Sequence, residues 1–483
     1  MPKSTKKLNL NQSGAMLILA LTATGLFLAI TLGAVGLATL QRKLNISKVA
    51  RAQAIHIAEA GVNYYRWVLY HDNEEYCNKE TCIGPPDYGP YGPYDYTDAS
   101  GKIVGKYELY ITPPAINGST IVKIKSVGWT EAHPNIKREI EVRVGIPSWS
   151  SYSTLADTDI RFGEGTEVWG AIHSNAGIRF DGLAHNVISS SLCVYDDPDH
   201  SGGDEFAVHT HVPPVDPAPD SNCPPQNAPD RADVFMAGRS FAEPVVSFDL
   251  LDNYLNEALN KAMDSGMVLE ASGAEGYHLT LNSDDTVDIR IVTAVTPPCS
   301  YWWWSSETEG IASETVYDIG SSTPANGIIF VKDKVWIDGN IDGNRVTVLA
   351  FAEPITGDTT DIILNNDLTY TNYDGTDAIG LIAQRNITVG FYSEDNLQID
   401  AALIAKEGRI GRNYYYPFCG SNYVRDTITI NGSLATRNRY GFAYTDGSGY
   451  KYRNLNYDNN LTFIPPPHFP TTGEYTFISW KEK

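Results

Sequence analysis

A chain of 483 residues with 19% charged side chains and a formal charge of −22 is long enough for two or three domains with cores of their own, so it needs no metal or disulfide scaffold to fold. Its wealth of Tyr, Trp, Gly, Asn, Asp and Thr is that of a β-rich, ordered protein and excludes general disorder. Lys3, Lys6, Lys7, Arg42, Lys43, Lys48 and Arg51 all precede the first acidic residue, Glu59, which leaves 29 basic against 58 acidic side chains in the remainder; a body of that sign repels phosphate backbones, so no nucleic acid is expected as a partner.

Residues 1–14 read as a basic leader, whose place on the cytoplasmic side comes only from the resemblance given below. From Ala15 to Leu40 no residue is charged, and at 1.5 Å per helical residue this run exceeds the roughly 30 Å hydrocarbon core of a bilayer. A cleaved secretory signal starts in the same way, but its apolar core is only about 7 to 15 residues long and no amphipathic helix continues it. Here a transmembrane and amphipathic helix is expected over 15–71, because QRKLNISKVARAQAIHIAEAGVNYYRW lacks Pro, has no Gly before Gly61, and lines up Ile46, Val49, Ala50, Ala54, Ile57, Ala58 and Val62 at spacings of three and four.

Lys6 and Lys7, the Ser13-Gly14 junction, the apolar run, and RAQAIHIAEAGVNYY with its Ala58-Glu59-Ala60-Gly61 resemble the N-terminal segment of PilX-type minor pilins. The resemblance covers about residues 6 to 66. It implies cutting by a prepilin peptidase between Gly14 and Ala15, other pilin-like subunits as partners, and an inner-membrane protein whose body lies outside the cytoplasm and is open to transfer into a surface filament. Leu19, fifth after that cut, departs from the major pilins, which carry a Glu there to meet a neighbouring subunit's N-terminal amine. Basic residues on both sides of the span leave its orientation undecided by charge, so the outside placement comes from the resemblance.

Residues 72–101 read as a loop, since DYGPYGPYDYTD breaks helix and strand alike. Cys77 and Cys82 are spaced to close a local disulfide in an oxidising compartment. Cys193, Cys223, Cys299 and Cys419 allow three pairings, and the absence of any CxxC argues against a zinc finger. KYELYITP, TIVKIKSVGWTE and KREIEVRVGI alternate apolar with polar residues and predict a small antiparallel sheet, a pilin-like head over 72–147.

After Pro147 the pattern becomes short strands between Gly and Asn turns. Ile160-Arg161-Phe162-Gly163 recurs as Ile178-Arg179-Phe180-Asp181-Gly182, and Leu381-Ile382-Ala383, Leu403-Ile404-Ala405 and Leu434-Ala435-Thr436 repeat further on. A period near 20 predicts a right-handed parallel β-helix or solenoid, with a β-sandwich as the alternative. A first solenoid part is expected over 148–195 and a second over 326–483, interrupted by an α+β insertion at 196–325. In that insertion a helix starts near Ser247 as its cap, presents Leu251, Tyr254, Leu255, Ala258 and Ala262, ends at Gly266, and is expected to pack on YHLTL and VDIRIVTAV as a small lobe. VWGAIHSNAGIRFDG, GLIAQRNITV and PPPHFPTTGEYTFISWKE resemble the large extracytoplasmic domains that follow pilin-like N-termini in many bacterial proteins, a family with no assigned reaction.

His200, Asp204, Glu205, His209 and His211 could supply nitrogen and oxygen ligands to a metal, but the same residues make an ordinary polar loop, and no metal or other cofactor is expected. Asp338, Asp342, Asp374 and Asp377 lack EF-hand or RTX spacing and read as turns. Asp395 and Asp400 are too scattered to assign as a catalytic carboxylate pair. Tyr301, Trp302, Trp303 and Trp304 form either an aromatic platform for a sugar or protein or, more in keeping with three successive Trp, a core plug. With no G-x-S-x-G, HExxH or P-loop, the expectation is a non-enzymatic, pilin-like component of a type IV pilus or related secretion or surface assembly. The alternative is a membrane-tethered glycan-binding or polysaccharide-degrading β-helix protein.

Overall fold

Helix formation over residues 12–71 follows from a run without Pro that is apolar throughout its first half and carries apolar residues at spacings of three and four in its second. The computed structural model describes residues 12–297, 299, 310–352, 357 and 359–483. In it α1 extends over Gln12–His71, about 90 Å of helix. The large apolar side chains from Met16 to Leu44 are each more than half exposed, whereas Ala50, Ala54, Ile57, Ala58, Val62, Tyr65, Val68 and Leu69 are buried. The described residues divide into two units, the first made of the chain up to Pro113, Val122–Val144 and Phe477–Lys483, the second of Pro114–Ile121 and Gly145–Thr476.

In the first unit, strands β1 (Tyr91–Thr97), β2 (Ile103–Thr112), β3 (Val122–Thr130) and β4 (His133–Gly145) form a sheet in chain order, and a fifth strand, Thr476–Glu482, lies beside β4. β1 to β4 pair antiparallel, with Leu109 opposite Ser126 and Lys125 opposite Glu141. Alternate residues of β2 and β3 face α1, as the period of two requires. Two corrections to the sequence expectation arise here. Tyr91–Thr97 is an edge strand rather than loop; Pro93 is tolerated because an edge strand leaves N–H positions unpaired, and the register slips between Tyr91 and Tyr94 around it. The C-terminal Phe477–Lys483 belongs to this unit and not to the C-terminal repeat region.

Small residues set the distance between α1 and the sheet. A Cβ on Gly61 would meet Ser126 Oγ and, at 2.7 Å, the Tyr107 ring; one on Gly128 would stand 2.5 Å from both Ala54 O and Ala58 N. Helix and sheet thus approach closely along Ala54, Ala58 and Gly61, with Glu59 paired to His56 at 3.0 Å.

The second unit is built from parallel ladders. One runs through ten strands in the order Met267–Leu269, Ile328–Val331, Arg345–Ala350, Ala378–Ala383, Asn396–Ala405, Val424–Thr436, Thr154–Ala156, Ile172–Ser174, Ile188–Ser190 and Arg239–Ser240. A second joins Leu281, Gly339, Leu368, Ile399, Ile430, Leu455, Val168 and Ala184. A third joins Tyr277, Val335, Ile362, Ile387 and Ile410, with Ile160, Ile178 and Val208 forming its counterpart in the other half. The sequence repeats sit side by side: Ile160, Arg161 and Phe162 pair with Ile178, Arg179 and Phe180, and Leu381, Leu403 and Leu434 are successive neighbours. Like thus stacks on like.

Both faces of the ten-strand ladder are buried. Ile329, Val331, Val348, Ala350, Leu381 and Leu403 point into one core, while Ile328, Phe330, Leu349, Phe351, Ile382 and Ile404 pack in a second with α2 (Leu251–Ser265). Burial on both faces accounts for near-continuous apolar strands such as Ala378–Ala383. The expected small lobe is corrected by this packing: α2 lies against Met267–Leu269 and Ile328–Val331, and Gly276–Leu281 is a ladder member that also starts an antiparallel hairpin with Thr286–Thr296. Ser247 does not cap α2, since a 3₁₀ turn, Phe248–Leu250, lies between them, and its side chain makes no capping hydrogen bond; Gly266 does end the helix, donating to Ala262 O at 3.0 Å.

Candidate functional site

The histidines singled out in the sequence fall at the end of the stack formed by residues 154–240. Val208–His209 pairs in parallel with Ile178–Arg179, so the backbone of His209 is fixed, and the extended chain puts His211 on the same side two residues on. The His211 amide donates to Asp181 Oδ1 at 2.8 Å. Val194–Tyr195 and Glu205–Phe206 pair antiparallel, which carries the intervening loop across these histidines. In that loop the Asp199 amide donates to Asp197 Oδ1 at 2.9 Å, leaving Asp197 Oδ2 directed at the histidines.

Two groups result, sharing His211: Asp197, His209 and His211, and His200, Glu205 and His211, the ligand-type atoms within each lying within 4.8 Å of one another. Asp197 Oδ2 is 3.4 Å from His209 Nε2, Glu205 Oε1 is 3.4 Å from His200 Nδ1, and Glu205 Oε1 is 3.9 Å from His211 Nε2. The Asp197 and His209 side chains are fully buried. Asp197 Oδ2, both ring nitrogens of His209 and Nε2 of His211 are buried without a well-formed hydrogen bond. Burial pushes His209 down to about 4; Asp197 and the Phe206 backbone pull the other way, and His211 and Arg179 add to the depression. His211 is lowered as well, by burial and then by Arg179. Arg179 stands 2.7 Å from Asp181 and 3.8 Å from Asp197 Oδ2. Asp204 is in neither group. Asp197 was not legible as a member, because its place depends on the pairing of Val194–Tyr195 with Glu205–Phe206.

Two other places gather polar side chains. His278 is held between Glu314 at 2.8 Å and Asp338 at 3.0 Å, in a cleft with Trp336, Ile363 and Tyr392. Burial opposes its charge, yet the two carboxylates hold it above the ordinary histidine range. A second cleft is lined by Arg161, Arg409, Arg439, Arg453, Tyr440 and Tyr444; Arg439 reaches both Asp159 and Asp199 at 2.8 Å.

Asp400 accepts from the Tyr370 amide, Tyr373 and Asn431, and Asp395 from the Asp426 amide, so both are occupied in holding turns and strands. Asp377 holds the amides of Gly343, Thr371 and Asn372, Asp374 that of Thr376. Asp342 accepts from the Asn372 side chain. Disulfides join Cys77 to Cys82, Cys193 to Cys223 and Cys299 to Cys419. Gly14 and Ala15 lie exposed in the first turns of α1. The segment Tyr301, Trp302, Trp303 and Trp304 lies outside the described residues.

No protein-family model and no curated protein matches the chain. Among solved structures, the competence-associated pilin ComZ from Thermus thermophilus aligns with 90% of this chain and 97% of its own, at 11% identity and a TM-score of 0.26.

Proposed function

We propose that this protein is a non-enzymatic, membrane-anchored, pilin-like component of a type IV pilus or related secretion or surface assembly, and that its second unit is a right-handed parallel β-helix presented outside the cytoplasm for assembly or attachment. The observation that carries the proposal is the division of α1: an apolar half with its side chains exposed along its whole length, continuous with a half that packs on a small antiparallel sheet through Ala54, Ala58 and Gly61. A helix of that kind is equally satisfied by lipid and by the apolar helices of neighbouring subunits, so it can pass from bilayer to helical bundle without exposing a backbone group. The β-helix is supported by three sets of parallel ladders whose members recur coil by coil, and right-handedness by the strong preference of parallel crossovers for that hand.

The test is the N-terminal sequence of the mature protein from cells with and without the prepilin peptidase. A peptidase-dependent start at Ala15 supports the proposal despite Leu19; an uncut Met1 leaves a simple anchor, and a start beyond Leu40 removes the pilin interpretation. A second possibility, attachment to an acidic glycan, is favoured by the Arg- and Tyr-lined cleft in a chain otherwise so acidic. Binding to an acidic polysaccharide that is lost in Arg439→Ala and Arg453→Ala would bring that possibility forward.

A further inference from the structure

We propose that Asp197, His209 and His211, with Glu205 and His200 beside them, form a binding site for one divalent transition-metal ion, with Zn²⁺ the best match. A carboxylate oxygen and an imidazole nitrogen that are fully buried each cost free energy unless they are partnered. Here Asp197 Oδ2 and His209 Nε2 face each other at 3.4 Å without a well-formed hydrogen bond, and His211 Nε2 is buried without one next to them. Native proteins keep such groups where an ion completes them.

The spacing fits. Two ligand atoms each about 2.0–2.1 Å from a tetrahedral Zn²⁺ stand about 3.3 Å apart, close to the 3.4 Å of Asp197 with His209 and of Glu205 with His200. The donor set fits too: imidazole nitrogens with one or two carboxylates suit Zn²⁺ and its neighbours better than Ca²⁺ or Mg²⁺, which prefer all-oxygen cages. The charges of Asp197 and Glu205 balance a divalent ion. Two described cations lie near the site: Arg179, whose Nε is taken by Asp181 at 2.7 Å and which reaches Asp197 only at 3.8 Å, and Arg439, which is engaged by Asp159 and Asp199 at 2.8 Å. The ligands are held by supporting groups of the sort that metal sites use: the Asp199 amide on Asp197 and the parallel pairing of His209 with Arg179.

The experiment uses the full chain in detergent, stripped with a chelator and dialysed against buffered free Zn²⁺, with metal content measured by mass spectrometry. Co²⁺ serves as an optical probe, since a tetrahedral nitrogen and oxygen site gives it visible d–d absorption. One tightly held Zn²⁺ per chain is expected. His209→Gln, His211→Gln and Asp197→Asn should each weaken it by more than about 100-fold, beyond the 10- to 100-fold that loss of a supporting group costs. His56→Gln, on the exposed face of α1, should leave it unchanged. Should the buried variants fail to fold, Glu205→Gln and His200→Gln decide, together with a Zn²⁺-dependent rise in the thermal midpoint of the unaltered chain. A chain that takes up no stoichiometric Zn²⁺, or uptake indifferent to every one of these ligand substitutions, overturns the proposal.

Discussion

Gly61 offers the sharpest test of how α1 meets its sheet, because two effects of known size oppose each other there. In an exposed helix, Gly→Ala is stabilising by about 1 kcal/mol through propensity alone. At Gly61 the new methyl would run into Ser126 Oγ and lie 2.7 Å from the Tyr107 ring, and overpacking of this kind costs about 1–3 kcal/mol. The balance for Gly61→Ala is a loss of roughly 1 kcal/mol. Gly61→Val, with two more carbons in the same space, should lose distinctly more. Ser126→Ala removes the nearest clashing atom, so the double variant Gly61→Ala/Ser126→Ala should recover part of the loss, a coupling of about 0.5–1.5 kcal/mol. Hydrogen exchange of the full chain in detergent, followed over residues 50–66 and 122–130, reads this locally: a loss of 1 kcal/mol speeds exchange about fivefold. Slower exchange in Gly61→Ala would mean that propensity wins, and that helix and sheet do not touch at this point.

Gly128→Ala should be more damaging than Gly61→Ala, since the atoms 2.5 Å from its Cβ are the backbone of Ala54 and Ala58, which cannot rotate away; the same exchange experiment ranks the two. Replacing Cys193 and Cys223 by Ser opens a 30-residue loop and should lower stability by on the order of 3–4 kcal/mol, seen as earlier denaturant unfolding of the 154–240 region. For metal-free protein, His209 gives a pH dependence of definite sign. Its folded value of about 4 lies below the ordinary histidine value, so its contribution is complete above about pH 6.5 and is lost as pH falls toward 4. Denaturant midpoints measured across that window should flatten in His209→Gln, and an unchanged slope would refute the assignment.

The features legible in the sequence were those that depend on neighbours along the chain or on strict repetition. The Pro-free, helix-phased run to His71 and the alternation in KYELYITP are local, and the repeats Ile160-Arg161-Phe162 and Ile178-Arg179-Phe180 pair because neighbouring strands of a parallel ladder present the same environment to the same residue types. What escaped depends on contacts between distant segments. Thr154–Ala156 stacks on Leu434–Thr436, a neighbour about 280 residues away, and nothing in either segment specifies the other beyond its apolar alternation. Tyr91–Thr97 became a strand because β2 offered an edge, against its own Gly and Pro content. The histidine cluster proposed to hold a metal was legible in its histidines and Glu205, while Asp197 joined through strand pairing and Asp204 stays exposed outside both groups.

The ten-strand ladder also explains why a helix interrupts the repeats. Its two end strands, Arg239–Ser240 and Met267–Leu269, are consecutive in the chain, so one connection must travel the height of the stack, nine steps of about 4.8 Å, or about 43 Å. Residues 241–247 extended, the 3₁₀ turn Phe248–Leu250 and the 15-residue α2 together reach about 50 Å, which is enough with little slack. The route must also cover the outer apolar row of the ladder. Phe248, Leu251, Leu255, Ala258 and Ala262 share a core with Leu155, Ala435, Ile404, Ile382, Leu349 and Phe330, residues from six successive strands. An amphipathic helix meets both demands at once, since it spans length with its backbone bonds internally satisfied and presents one continuous apolar stripe. The connection between the two ends of the stack is thereby also the cover of its side.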